Sequence, residues 1–125
     1  MSTPSSRRRP RPNSAAIGAA KERLAEAFLI ERGLTPLARN YRCRGGEIDL
    51  VMRDAQTLVF VEVRYRRSAQ FGTAAATVDA RKQQRLIQAA QQYLQQHPTA
   101  LACRFDVVAI DGQDRIEWIR QAFML

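Results

Sequence analysis

Two short runs of alternating polar and apolar residues, joined by a polar link, constrain the fold of this chain more than any other feature. Residues 47–52 and 58–65 both alternate with a period of two, which is typical of β-strands. The four-residue link 54–57 between them has the length of a hairpin connection. The sequence therefore predicts a β-hairpin with two distinct faces. One face carries Glu47, Asp49, Val51, Leu58, Phe60, Glu62 and Arg64; the other carries Ile48, Leu50, Met52, Val59, Val61, Val63 and Tyr65.

The register of this hairpin places two acidic side chains, Asp49 and Glu62, directly opposite each other. A two-residue loop at 55–56 and a four-residue loop at 54–57 give the same pairing, whereas an odd loop without a bulge pairs Asp49 with a valine. Facing carboxylates on a covered face need a shared proton, a cation or both. A hard divalent metal ion suits such an all-oxygen site. The alternative is an exposed face on which the two acids only favour solubility.

The surplus of positive charge indicates the class of partner. The chain of 125 residues has a net charge of +8 and a pI near 10.7. Nucleic acid is therefore the first expectation, and an acidic membrane surface is the second. The ratio of 18 Arg to two Lys is a weaker indication, because genome composition alone can produce it.

No feature of the sequence indicates a membrane span, an export signal or a zinc site. No apolar run is long enough to cross a bilayer, and the N-terminus lacks the apolar core of a signal peptide. Cys43 and Cys103 are isolated and His97 is the only histidine, so no zinc-ligand spacing or Cys–His pair can be assembled. We therefore expect a reduced, cytoplasmic chain.

The chain order predicts a tail followed by one domain. Residues 1–14 are rich in Ser, Pro and Arg and are expected to form a disordered basic tail, either solvated or bound to phosphates nonspecifically. Residues 15–125 form the expected domain, in which residues 34–41 lead from the first helix to the hairpin. The other predicted elements are helices at 16–32 and 78–96 and strands at 104–110 and 115–120. The predicted order is α-β-β-α-β-β.

Both predicted helices have an apolar stripe. The first stripe leaves Glu22 on a neighbouring face, where it is expected to be exposed. The second helix has Asp79 in its first turn and Lys82 one turn inside. The stripes are Ile17, Ala20, Leu24, Ala27 and Phe28 in the first helix, and Leu86, Ala89, Ala90, Tyr93 and Leu94 in the second.

Four arginines lie at the ends of the predicted hairpin and form what we call the basic rim. Arg42 and Arg44 precede the hairpin, and Arg66 and Arg67 follow it. We expect the basic rim to make nonspecific contacts with nucleic-acid phosphates. The alternative is an ordinary solvated run of charge.

Five short segments carry a resemblance to a known family. They are Arg39-Asn40-Tyr41-Arg42, Gly46-Glu47-Ile48-Asp49-Leu50-Val51, Phe60-Val61-Glu62-Val63-Arg64-Tyr65-Arg66, Phe71-Gly72 and Arg104-Phe105-Asp106-Val107-Val108. With these segments the chain resembles the YraN-like family of small bacterial proteins over residues 16–123. That family looks like a branch of the restriction-endonuclease-like superfamily, close to archaeal Holliday junction resolvases. The resemblance implies an α/β fold of that type, with a mixed central sheet flanked by helices.

The same resemblance implies a set of metal ligands. By analogy with the superfamily pattern, Glu22, Asp49 and Glu62 are the acidic positions that bind Mg²⁺ or Mn²⁺ beside a scissile phosphate. The backbone carbonyl of Val63 is the fourth implied ligand. A metal ion in such a site activates water and neutralises charge in the transition state.

The chain departs from the superfamily at Arg64, where a lysine normally stands in the Glu-x-Lys pattern. An arginine stabilises negative charge but does not take a proton from water. Two interpretations stay open. Arg64 acts only electrostatically, or Lys82 on the second helix supplies the missing amine.

The function implied by the resemblance is that of a metal-dependent DNA endonuclease. Its expected substrates are branched or otherwise structured DNAs in repair or recombination, and a homodimer is compatible with the sequence. One alternative is a non-catalytic nucleic-acid-binding protein of the same fold, since fold does not fix activity. Another is a small protein-interaction subunit whose basic surface holds a partner.

Overall fold

The computed structural model describes residues 14–66 and 78–123, which form a five-stranded mixed sheet with a helix on each face. The elements are α1 (Ser14–Glu31), β1 (Thr35–Cys43), β2 (Gly46–Asp54), β3 (Thr57–Arg66), α2 (Ala80–Gln96), β4 (Ala102–Asp111) and β5 (Ile116–Phe123). The strands follow chain order across the sheet. Neighbouring strands are antiparallel except β3 and β4, which are parallel and are connected through α2. The predicted mixed sheet flanked by helices is confirmed.

Parts of the predictions lie outside the described residues. These are the tail at 1–13, Arg67 and the segment 71–72. Ser14, which was assigned to the tail, is the first residue of α1. Within the described ranges, neither helix is long and apolar enough to cross a membrane.

The predicted element order is wrong at residues 34–41, because most of this segment belongs to strand β1. The order is therefore α-β-β-β-α-β-β. β1 is an edge strand with mostly exposed residues, so it lacks the apolar alternation of a covered strand. A bulge between Pro36 and Ala38 and a positive φ of 50° at Asn40 disturb its period further. Because β1 is an irregular edge strand, its sequence does not show the apolar alternation by which strands are predicted.

The hairpin forms with the predicted register. Asp54 pairs with Thr57 across a two-residue turn, and Leu50 pairs with Val61. The first turn residue, Ala55, has a φ of 53°, which two-residue hairpin turns commonly require. The same register, continued by one residue, brings Asp49 opposite Glu62.

The predicted face of Ile48 is wrong. Ile48 belongs to the core cluster of Val51 on the α2 side, whereas Leu50 belongs to the cluster on the α1 side. The ladder between β2 and β3 ends at Leu50, and beyond it the backbone N–H of Val63 donates to Asp49 Oδ2 at 2.8 Å. A side chain thus replaces a backbone acceptor, so the regular alternation of β2 is interrupted at Asp49.

The predicted stripe of α1 is only partly correct, because Leu24 and Phe28 pack against the core cluster on this side of the sheet but other members do not. The residues of α1 that are buried against the sheet are Ala25, Glu26 and Leu29, whereas Ala20 and Ala27 are exposed. Alanines occur around much of this helix, so apolar spacing alone identifies its buried face poorly. The face that contacts the sheet is the one that carries Glu22.

Helix α2 packs on the opposite face of the sheet as predicted. Its residues Leu86, Ala89, Ala90 and Tyr93 are buried. Asp79 is the N-cap rather than a first-turn residue, and its carboxylate accepts the backbone N–H of Lys82 at 2.9 Å. The cap therefore fixes the turn from which the Lys82 side chain extends.

A fully buried carboxylate, Asp106, connects β4 to its neighbours. It accepts hydrogen bonds from Arg104 Nε at 2.9 Å, from Trp118 Nε1 at 2.9 Å and from the backbone N–H of Gln121 at 2.9 Å. Arg104 also donates to Asp54 Oδ2 at 3.0 Å. Because every one of these partners is a donor, Asp106 is a satisfied structural residue.

We predict that Gly46→Ala destabilises the protein by about 3 kcal/mol. A Cβ at Gly46 would clash with the backbone carbonyl oxygen of Arg85, so β2 and α2 would have to separate. The control is Gly18→Ala, because a Cβ at Gly18 meets nothing within 4 Å. This control is expected to stabilise α1 by up to about 1 kcal/mol. Urea denaturation of both variants tests the prediction, and equal stabilities would contradict it.

Candidate functional site

The site is built around two buried carboxylates, Asp49 on β2 and Glu62 on β3. Asp49 is 8% exposed and Glu62 is 4% exposed. The two side chains are hydrogen-bonded to each other, and Asp49 also accepts the Val63 N–H. The sequence-predicted facing pair is therefore present, and it lies where the strands stop forming a regular ladder.

Burial raises the pKa of both carboxyl groups. The pKa of Glu62 is raised to about 7, first by burial and then by the charge of Asp49. Burial raises the pKa of Asp49 as well, although the Val63 N–H and the hydrogen-bonding interaction with Glu62 lower it. Raised pKa values at two adjacent acids mean that protons or a cation stabilise this pair in the folded state.

Two cationic side chains contact the same oxygen of Glu62. Arg64 Nη1 lies 3.3 Å from Glu62 Oε2, and Lys82 Nζ lies 3.6 Å from it. Arg64 follows Glu62 on β3, while Lys82 comes from the first turn of α2. Both candidates for the missing lysine of the Glu-x-Lys pattern thus lie beside the carboxylate pair.

Glu22 on α1 adds a third acidic group from the other side of the sheet. Its side chain is hydrogen-bonded to Asp49, and burial followed by the charge of Asp49 raises its pKa. The polar side chain of Asn40 lines the same cleft as Glu22 and lowers the pKa of Glu22. Glu22 is half-buried, so the expectation of an exposed residue, drawn from the sequence alone, is wrong.

Asn40 was missed as a site residue by the sequence analysis. It lies on β1 with a φ of 50°, a left-handed conformation that Asn adopts more readily than most residues. In the sequence, the only indication of this residue is an Asn in a segment with weak strand character. In the structure, Asn40 lines a cleft together with Glu22.

The donor chemistry of the site fits a hard divalent cation. Asp49, Glu62 and the backbone carbonyl of Val63 are all oxygen donors, and a cation would stabilise the charged forms of two carboxyl groups whose pKa values are raised first by burial. In residues 14–66 and 78–123, no three His, Cys, Asp or Glu side chains are arranged to hold a metal ion. Mg²⁺ commonly binds through one or two carboxylates and keeps several waters, so two acids suffice. The ligand set stays a prediction.

The described members of the basic rim have different surroundings. Arg42 Nε lies 3.4 Å from Glu47 Oε1, and Arg44 is exposed at the β1–β2 turn. Arg66 lines a separate cleft of 270 Å³, together with Asp111 and residues of β5. The structure thus divides the rim between two regions, and its phosphate contacts stay a prediction.

Comparison with known proteins identifies a family. Residues 21–110 match the model of the family described as "Uncharacterised protein family UPF0102". A UPF0102 protein of Ralstonia nicotianae is 62% identical over 117 residues, which cover 90% of this chain and 89% of the relative. A UPF0102 protein of Saccharophagus degradans is 56% identical over 110 residues, covering 86% of this chain and 92% of the relative.

We predict that the metal-free protein loses stability as the pH rises from 4.5 to about 7. The folded state binds a proton at Glu62 more tightly than the unfolded state does, so folding is favoured at the lower pH. The loss is expected to reach at most about 3 kcal/mol. Glu62→Gln removes the ionisable group and flattens this dependence.

The control for this experiment is Glu31→Gln, which replaces an exposed carboxylate at the end of α1. Urea denaturation in the presence of EDTA, repeated across this pH range, measures the effect. A Glu62→Gln profile that is parallel to that of the wild type would show that Glu62 titrates normally.

Proposed function

The chain belongs to the uncharacterised protein family UPF0102, and from its site we propose that it is a metal-dependent endonuclease that acts on branched or otherwise structured DNA. The observation that carries the proposal is the buried Asp49–Glu62 pair with Lys82 and Arg64 on one of its oxygens. The proposal includes a restriction-endonuclease-like fold and a cytoplasmic location. A net charge of +8 supports nucleic acid as the partner.

In this proposal Asp49, Glu62 and the carbonyl of Val63 hold Mg²⁺ or Mn²⁺. When bound, the ion supplies a Lewis acid that lowers the pKa of water and neutralises charge on the phosphate. Burial of Asp49 and Glu62 keeps competing water away from the carboxylates. In this proposal Glu22, which lines a cleft beside the pair together with Asn40, accepts a hydrogen bond from a metal-bound water. The folded chain thus supplies a preorganised set of acceptors.

The cations have a separate role, the stabilisation of negative charge on the reacting phosphate. Arg64 remains charged and contributes only electrostatically. Lys82 Nζ lies 3.6 Å from Glu62 Oε2, so in this proposal Lys82 gives a proton to the leaving oxygen. Lys82 then supplies the amine that the Glu-x-Lys pattern places on the strand, but it acts as an acid and does not take the proton from water.

We predict Mn²⁺-dependent cleavage of at least one structured DNA by the wild-type protein and none by Asp49→Asn. A panel of branched, nicked and linear labelled DNAs, separated on denaturing gels, measures this. Glu31→Gln is the control, because Glu31 is an exposed acid at the end of α1. Wild-type activity that survives in Asp49→Asn would assign the cleavage to another site or a contaminant.

We predict that Lys82→Ala lowers the rate of cleavage by at least about 100-fold, as expected for loss of a general acid. Arg64→Lys is expected to preserve or raise the rate, because it restores an amine beside Glu62. The double variant, with Lys82→Ala and Arg64→Lys, partly regains activity if either position can supply the amine. Single-turnover rates separate chemistry from binding. Equal rates for Lys82→Ala and the wild type would show that Lys82 takes no part in cleavage. Arg64 would then be the remaining cation beside Glu62.

A non-catalytic nucleic-acid-binding protein is the second candidate, and Arg64 in place of the usual lysine favours it. This candidate predicts salt-sensitive DNA binding without cleavage. Neutralising the basic rim is expected to lower the salt slope by about one unit for each arginine that contacts phosphate. An unchanged slope would mean that the rim does not touch the DNA.

A further inference from the structure

A buried acid, Glu26, holds an exposed arginine at the edge of the sheet. Glu26 on α1 is 6% exposed, and its Oε2 accepts a hydrogen bond from Arg39 Nε at 2.8 Å. The Arg39 side chain on β1 is 65% exposed. Burial of a carboxylate costs desolvation free energy, and an exposed partner offsets only a small part of that cost, so such a pair contributes little to stability. The geometry of the Glu26–Arg39 pair is instead suited to positioning the arginine side chain.

The pair fixes the orientation of the Arg39 guanidinium. Nε is occupied by Glu26, and within the described residues the two terminal Nη atoms make no hydrogen bond or ion pair. These nitrogens form a planar pair of donors that matches two oxygens of a phosphate. Arg39 therefore presents a preoriented anion-binding group at low entropic cost.

Arg39 lies in a groove that begins beside the carboxylate site. One cleft of 130 Å³ between α1 and β1 is lined by Arg39 and Glu26 together with Glu22 and Asn40. A second cleft of 370 Å³ is also lined by Arg39 and Glu26, and it continues along β1 to Leu37. Because both clefts share Arg39 and Glu26, the guanidinium stands between them. We call the two clefts together the α1–β1 groove.

The outer part of the α1–β1 groove is apolar. Leu37 is 47% exposed because it is the extra residue of the β1 bulge. An exposed leucine next to a phosphate-binding arginine suits a nucleotide, whose sugar is less polar than its phosphate. The groove therefore combines a charged position near the acidic site with an apolar position further away.

We propose that the α1–β1 groove binds the DNA nucleotide next to the reacting phosphate, and that Arg39 binds the phosphate of that nucleotide. This inference rests on the proposed function, since it places the adjoining nucleotide relative to Asp49 and Glu62. Glu26 is a positioning residue that acts through Arg39. The DNA strand then leaves the site over the β1 edge of the sheet.

The test is DNA binding by a double variant, Arg39→Ala with Glu26→Leu. Removing Arg39 alone leaves a buried, unpaired carboxylate, whereas replacing both partners with apolar residues preserves stability. Fluorescence anisotropy with a labelled branched DNA in Ca²⁺ measures Kd between about 50 and 200 mM salt. The double variant is expected to bind about 10-fold more weakly, with a salt slope smaller by about one unit.

Two further variants exclude simpler explanations. Arg53→Ala is the matched control, because Arg53 is an exposed arginine at the far end of the hairpin. It is expected to leave Kd and the salt slope unchanged. Arg39→Lys retains the charge but loses the planar donor pair, so it is expected to keep the salt slope and weaken binding by about 3-fold. A double variant with wild-type stability, Kd and salt slope overturns the inference.

Cleavage in Mn²⁺, measured on the same proteins, separates this inference from the proposed function. If the wild type cleaves DNA and the double variant binds and cleaves equally well, the groove is not a subsite, although the endonuclease proposal stands. If the wild type binds DNA through Arg39 without cleaving any substrate, the endonuclease proposal fails and the groove stands as a DNA-binding site. A wild type that binds no DNA overturns both.

Discussion

The burial of Asp49 and Glu62 side by side is the constraint on which the rest of the structure depends. Two carboxylates less than a tenth exposed and hydrogen-bonded to each other are costly in a metal-free fold. Their surroundings offset this cost in three ways: the ladder opens so that Val63 N–H donates to Asp49, Lys82 approaches from α2, and Arg64 approaches along β3. Gly46 allows α2 to lie close to β2, near the turn that carries Lys82.

Two other buried acids have different surroundings. Asp106 is surrounded by donors, and backbone N–H groups of Arg115 and Gln113 hold the pKa of Asp111 below its usual value. By contrast, Asp49 and Glu62 have each other as acidic neighbours, and their pKa values are raised. A cluster of titratable groups with perturbed pKa values is characteristic of functional sites.

The sequence predicts the parts of the fold that follow a regular period. The hairpin register, and with it the facing pair, follows from alternation and an even loop, and the face of α2 follows from its clear apolar stripe. β1 could not be predicted because its bulge and Asn40 disturb the period at an exposed edge. The buried face of α1 could not be predicted because alanines occur around the helix. The Glu26–Arg39 pair could not be predicted either, because it joins the buried face of α1 to β1.

Isothermal titration with Mn²⁺ determines whether Asp49 and Glu62 form a metal site. We expect one ion per wild-type chain, with affinity lower at about pH 6 than at about pH 8, because protons compete with the ion for carboxyl groups whose pKa values are raised. Asp49→Asn and Glu62→Gln are expected to weaken binding at least about 10-fold, while Glu31→Gln does not. Absence of binding to the wild type, or equal affinities in all four proteins, would show that this pair is not a metal site.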